Sequence, residues 1–310
     1  MSRIHEALKK AAEERAKHSG NITPDFGDFS HESLAGSAAS PTDLPSGGLD
    51  SPASRVLFDR LSVQEFMARC LHPAWNIEPN LSVFSEDSES NQGAERFRTL
   101  RSRLLQISAD PPLQRILVTS SLPEEGKTFV AANLAQSFVQ AHRRVLMIDA
   151  DIRAPRLHIH FGVPSGPGLS EYLNGEADEA QVLQVGPEGN LCLIAGGRQV
   201  SNASELLHSE RMKQLFDRMS EMFNYIIVDS PPALAVYDAS IIADYCDGVL
   251  FVLRAGHTDY EIAERASIEF RKKNLLGVVL NRADASDTYG GYCEHYYAKP
   301  ASGSGKHKRT

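Results

Sequence analysis

From about Asn91 to Ala283, short apolar runs alternate with stretches in which apolar residues recur every three to four positions. The runs are ILVTS (116–120), RVLMIDAD (144–151), LCLIAGG (191–197), YIIVDSP (225–231), GVLFVL (248–253) and LLGVVLN (275–281). Each is short, and most are apolar without alternation, as strands buried on both faces are. Between them the spacing predicts helices over 93–107, 127–142, 209–222, 239–245 and 260–273. Strands alternating with helices predict an α/β fold, a mostly parallel twisted sheet with helices on both faces. Such sheets bind ligands at the carboxyl ends of their strands.

The flanks read differently. Residues 1–18 carry Ile4, Leu8, Ala11, Ala12 and Ala16 at helical spacing and predict a docking helix too weakly apolar to be a core. Residues 19–54 are dominated by Gly, Ser, Pro and Asp and predict a flexible linker. In residues 55–90, Val56, Leu57, Leu61, Phe66, Met67 and Leu71 predict a short helix packed on the domain, with Trp75 anchoring the stretch after it. The main domain is expected over 91–285, and 286–310 reads as mobile chain.

Composition narrows the possibilities. The 310 residues carry a formal net charge of −8 and 42% hydrophobic residues, at a mean hydropathy of −0.29. No long basic stripe is present, so nucleic-acid binding is not expected. No apolar run approaches the roughly 20 residues that span a bilayer, and the N-terminus lacks the apolar segment of a secretory signal. A cytoplasmic location is expected. Cys70, Cys192, Cys246 and Cys293 are scattered without a C-x-x-C pair, which predicts reduced thiols.

The run SSLPEEGKT, Ser120 to Thr128, lies between an apolar strand and a helix starting near Lys127. That is the layout of a phosphate-binding loop, in which backbone amides and a helix N-terminus cradle phosphates and the Lys reaches the outer ones. The nucleotide-binding candidates are Ser121, Pro123, Glu124, Glu125, Gly126, Lys127, Thr128 and Phe129. Ser121 stands where the motif has its first Gly, and Glu124 where many loops have another. Two acids beside a triphosphate are unfavourable unless they point to solvent.

Acids at strand ends extend the site. Asp149 and Asp151 close one strand at i, i+2 spacing, and Asp229 ends another before Ser230-Pro231-Pro232, which cannot continue a ladder. With Thr128 they form the hard-oxygen set that Mg²⁺ takes beside a nucleotide. Arg153 can meet a phosphate or a structural carboxylate.

Together the phosphate loop, IDADIR (148–153), PRLHIHFG behind it, GLSEYLNGE (168–176) and VDSPP (228–232) resemble the bacterial tyrosine autokinases of polysaccharide export, the BY-kinases. The family's E-x-x-R-x-x-R helix resembles Glu95, Arg98 and Arg101, and its tyrosine-rich tail resembles DTYGGYCEHYY, with Tyr289, Tyr292, Tyr296 and Tyr297. The resemblance covers about residues 91–300. MSRIHEALKKA resembles the start of a stand-alone subset linked to exosortase systems.

The resemblance implies an autokinase using ATP and Mg²⁺, with Lys127, Asp149, Asp151 and Asp229 catalytic and the four tail tyrosines as acceptors. Thr128, Asp149, Asp151 and Asp229 would hold the metal. It implies a homo-oligomeric ring with Glu95, Arg98 and Arg101 at the interface. It also implies a membrane polysaccharide co-polymerase that recruits the chain to the membrane's inner face, and a phosphatase. Two rivals stand beside it. One is a partition or division-site ATPase of the ParA/MinD type, which typically carries an extra Lys where this chain has Leu122. The other is a catalytically silent nucleotide-binding scaffold.

Overall fold

The structure is a computed structural model that describes residues 62–84, 92–107 and 112–283. The expected docking helix at 1–18, the linker at 19–54 and the tyrosine-rich tail lie outside the described residues.

Ten helices, α1 to α10, and seven strands are found among the described residues. In chain order they are α1 (Val63–Arg69), α2 (Gln92–Ile107), β1 (Arg115–Ser120), α3 (Lys127–Val139), β2 (Val145–Asp149), α4 (Leu157–Phe161), α5 (Leu169–Leu173), α6 (Glu179–Val182) and β3 (Leu183–Val185). They continue with β4 (Leu191–Ile194), α7 (Ala203–Leu207), α8 (Glu210–Met222), β5 (Tyr225–Asp229), α9 (Asp238–Ala243), β6 (Gly248–Arg254), α10 (Tyr260–Ile268) and β7 (Leu275–Asn281). The strands form one sheet in the order β3-β4-β2-β5-β1-β6-β7. Every pairing is parallel except β3 with β4.

The six apolar runs are six of these strands, and the expected mostly parallel sheet is the one formed. The seventh, β3, escapes the pattern: three residues paired antiparallel at an edge are too few to establish a period. The short helices α4 to α7, of four or five residues each, escape it for the same reason.

Successive strand residues point to opposite faces, so each strand feeds two cores. Leu117, Ile226 and Val228 pack on one face with Met212, Leu215, Phe216 and Met219 of α8. Those four α8 residues recur at helical spacing on one stripe, and Ser209 caps the helix by accepting the Met212 amide. Ile116, Val118, Met147 and Ile227 feed the other face, against Val130, Leu134 and Phe138 of α3. Helix α3 is apolar over most of its circumference, which lets α2 cover it from outside. Each of these fully buried side chains contributes about 1.5–3 kcal/mol relative to exposure.

Upstream of α2, residues 71–84 run along the domain as a strap. Leu71 forms a parallel bridge with Gln184 at the β3 edge. Trp75 packs on Phe161 with ring centroids 5.1 Å apart. Asn133 of α3 then grips the strap with both ends of its amide, donating to Leu81 O (2.9 Å) and accepting from Val83 N (2.8 Å).

Candidate active site

Strand β1 lies between β5 and β6, and the chain runs from it first toward β2 and later toward β6. The loop after β1 therefore opens at the reversal of strand order, the crevice where doubly wound sheets bind ligands. Residues 121–126 form that loop and α3 begins at Lys127, so the helix N-terminus faces the crevice mouth.

Two residues turn the loop through the left-handed region, Glu124 (φ 63°) and Gly126 (φ 93°). Glu124 stays exposed, whereas Glu125 is buried. The expected clash of two acids with phosphate is thus relieved in two ways. Glu124 faces solvent, while the Glu125 carboxylate turns inward, accepting from Leu122 N (2.8 Å) and from the Thr258 hydroxyl. At Gly126 a Cβ would collide with Asn281 Nδ2, which donates to Glu125 O (2.9 Å). Ser121 is buried and its hydroxyl has no partner. The Phe129 side chain faces away, edge-on to Phe97 of α2 at 6.1 Å.

Parallel pairing of β2 with β5 sets Asp149 beside Asp229 in register. Asp229 is 2% exposed; its Oδ2 accepts the Thr128 hydroxyl (2.6 Å) and its Oδ1 has no hydrogen-bond partner. Burial pushes the Asp229 carboxyl above the usual carboxylate range, against the pull of Lys127 and Thr128. Lys127 Nζ lies 3.7 Å from Asp151 Oδ2. Burial raises Asp151 as well, with Lys127 pulling the other way.

Asp149 differs from its neighbours. Its Oδ2 accepts from Arg156 N (3.0 Å) and Leu157 N (2.9 Å) at the start of α4, and its Oδ1 from Asp151 N (3.2 Å). Three backbone amides hold it, and Gly196 lies so close that a Cβ there would collide with Pro155 and reach the Asp149 carboxyl. Burial, followed by the charge of Asp229, holds its carboxyl well above the ordinary value.

An orphaned carboxyl oxygen on Asp229 beside a hydroxyl suits a hard cation such as Mg²⁺. Among the described residues no three His, Cys, Asp or Glu side chains form a metal cage by themselves.

Arg153, read from the sequence as meeting either a phosphate or a structural carboxylate, meets a carboxylate in this structure. Its guanidinium is forked onto Asp238 (2.6 and 3.2 Å) and bonds Ser204 (2.9 Å), while Nη1 has only a long contact to Ser201 O (3.5 Å). Glu95, Arg98 and Arg101 also part company. Glu95 and Arg98 pair at 3.2 Å on the exposed side of α2, while Arg101 donates to the Ser137 carbonyl of α3. The tail tyrosines lie outside the described residues. The sequence reading overlooked Thr258, Asn281, Asp238 and Ser204. Asn281 did carry a signal, since it ends the last apolar run and strand ends form the crevice.

Fold and crevice together define a phosphate-loop nucleotide-binding domain. Residues 116–296 match the model of the CobQ/CobB/MinD/ParA nucleotide binding domain. The chain is 34% identical over 220 residues to tyrosine-protein kinase YwqD of Bacillus subtilis, covering 70% of this chain and 92% of that one. It is 34% identical over 204 residues to tyrosine-protein kinase etk of Escherichia coli, covering 65% of this chain but 28% of that longer one. The solved kinase domain of the Escherichia coli tyrosine kinase ETK superposes with a TM-score of 0.62 at 31% identity, over 76% of this chain and 91% of that one. The chain belongs to the bacterial tyrosine-protein kinases, the enzyme family that its sequence motifs resemble. Among the described residues no helix is long and apolar enough to cross a membrane.

Proposed function

We propose that this chain transfers the γ-phosphoryl group of ATP to tyrosine hydroxyls of its own tail, Tyr289, Tyr292, Tyr296 and Tyr297. The observation that carries the reading is the convergence of Lys127, Thr128, Asp151 and Asp229 at one end of the sheet in a tyrosine-kinase family member. Lys127 and the loop amides would bind the phosphates. Mg²⁺, held by Thr128 and Asp229, would neutralise charge on the phosphate oxygens. A phenol oxygen forms the new bond to phosphorus as the bond to the ADP oxygen breaks, and the phenolic proton passes to a carboxylate. Asp151, near Lys127 and slightly open to solvent, suits that role. Asp149, held by three amides, would orient the loop that carries Asp151.

On this reading the reaction runs in trans within an oligomer, to which the exposed Glu95–Arg98 pair of α2 would contribute. A membrane polysaccharide co-polymerase would recruit the chain to the membrane's inner face, and a phosphatase would reset the tail. Mass spectrometry after incubation with Mg-ATP, beside Lys127→Met, tests the proposal. Phosphate on residues 289–297 in the wild type alone supports it. ATP consumed without phosphotyrosine would favour a partition-type ATPase, and neither outcome a scaffold.

A further inference from the structure

We infer that Glu125 is a positioning residue, which forms the phosphate loop before nucleotide arrives and ties it to the ends of β6 and β7. The inference rests on the nucleotide-binding part of the reading above. Glu125 is 1% exposed, and among the described residues no Lys or Arg pairs with it. A buried anion inside a loop that must attract phosphate is unfavourable twice over, by desolvation and by repulsion of the ligand. It therefore needs compensation, and the geometry supplies it through neutral donors.

One carboxylate oxygen closes a four-residue turn onto Leu122 N (2.8 Å). That amide is thereby engaged by the protein itself, and the turn from Leu122 to Glu125 is closed by a bond within the chain. The other oxygen receives the hydroxyl of Thr258, which follows β6. The residue's own carbonyl receives Asn281 Nδ2 from the last position of β7 (2.9 Å), and Asn281 also packs where a side chain at 126 would be. Three connections thus reach one residue from the loop, from β6 and from β7. Neither carboxylate oxygen is left facing the crevice, so Glu125 acts on nucleotide through the backbone it holds. A loop ordered in advance loses less conformational freedom on binding, and its amides start in place.

The test is calorimetric titration of the full chain with Mg-ADP, which reads binding without requiring kinase activity. Glu125→Ala should raise the dissociation constant about tenfold, the scale of one lost charge-assisted hydrogen bond. Thr258→Val should raise it severalfold and add nothing further on top of Glu125→Ala. Glu125→Gln can still accept from Leu122 N and donate to Thr258, so it should recover most of the affinity. In phosphorylation assays the KM for ATP should rise by more than the rate at saturation falls. A Glu125→Ala protein of lowered Tm but unchanged affinity overturns the inference and makes Glu125 purely structural. So does additivity with Thr258→Val, or a Glu125→Gln as weak as alanine. If Glu125→Ala fails to fold, Thr258→Val and Glu125→Gln decide alone. A wild-type chain that binds no Mg-ADP would instead sink the nucleotide reading itself.

Discussion

The two ends of the sheet treat their buried and half-buried polar groups in opposite ways. At the amino end, Asp247 accepts the amides of Gln114 (2.9 Å) and Arg115 (2.7 Å). The Gln114 amide reaches two carbonyls, Ser220 and Phe223, and Arg115 reaches Ser220 and Asp217. At the carboxyl end, three acids crowd together, Asp229 keeps an unpartnered oxygen, and the Ser121 hydroxyl is also orphaned. The difference is that one end satisfies its polar groups internally, which makes structure, while the other withholds partners, which leaves room for a ligand.

The largest effect is expected at the carboxyl end, on removing the Lys127 ammonium. Lys127→Met should lower tyrosine phosphorylation by at least about a thousandfold, the scale of losing a phosphate-neutralising cation, while leaving the fold intact by circular dichroism. Next, Asp229→Asn should cost activity by about a hundredfold or more and yet raise the Tm of the nucleotide-free protein at pH 8. The sign follows from the raised carboxyls. Between the ordinary carboxylate range and their raised values, the folded chain holds more protons than the unfolded one, so stability falls as pH rises. Thermal melts of the nucleotide-free wild type should therefore drop from pH 5 toward pH 8, and drop less in Asp229→Asn.

At the opposite end the outcome should invert. Asp247→Ala strands two amides at about 1–3 kcal/mol, a fall of roughly 2–10 °C in Tm, with unchanged phosphorylation per folded molecule. The smallest effect belongs to the exposed pair on α2. Glu95→Ala should move Tm by less than about 1 °C, because such pairs contribute only tenths of a kcal/mol. A shift in sedimentation would then report the proposed interface, and an unchanged profile would remove Glu95 from it.

Much of this was legible in the chain. Apolar runs of five to eight residues betray buried parallel strands, and Asp149, Asp151 and Asp229 are visible as acids where such runs stop. Proximity between distant elements was less legible. Nothing in the local pattern says that Arg153 meets Asp238, 85 positions on, or that Asn281 closes over Gly126. The i, i+2 spacing of Asp149 and Asp151 suggested twins, but the strand ends at Asp149, and the bend beyond it gives the two acids different partners.

The grip of Asn133 on the strap bears on where the folded body can be cut. A chain shortened to begin at Asn91 would keep every strand and the whole phosphate loop. It would nevertheless leave the Asn133 amide, inside the helix that starts at Lys127, facing bare surface, and would uncover Phe161 where Trp75 now packs. A chain beginning at Leu61 keeps both contacts and the Ser62 cap of α1. The shorter form should be the one lost to aggregation, by exposure of an apolar seam rather than by damage to its chemistry.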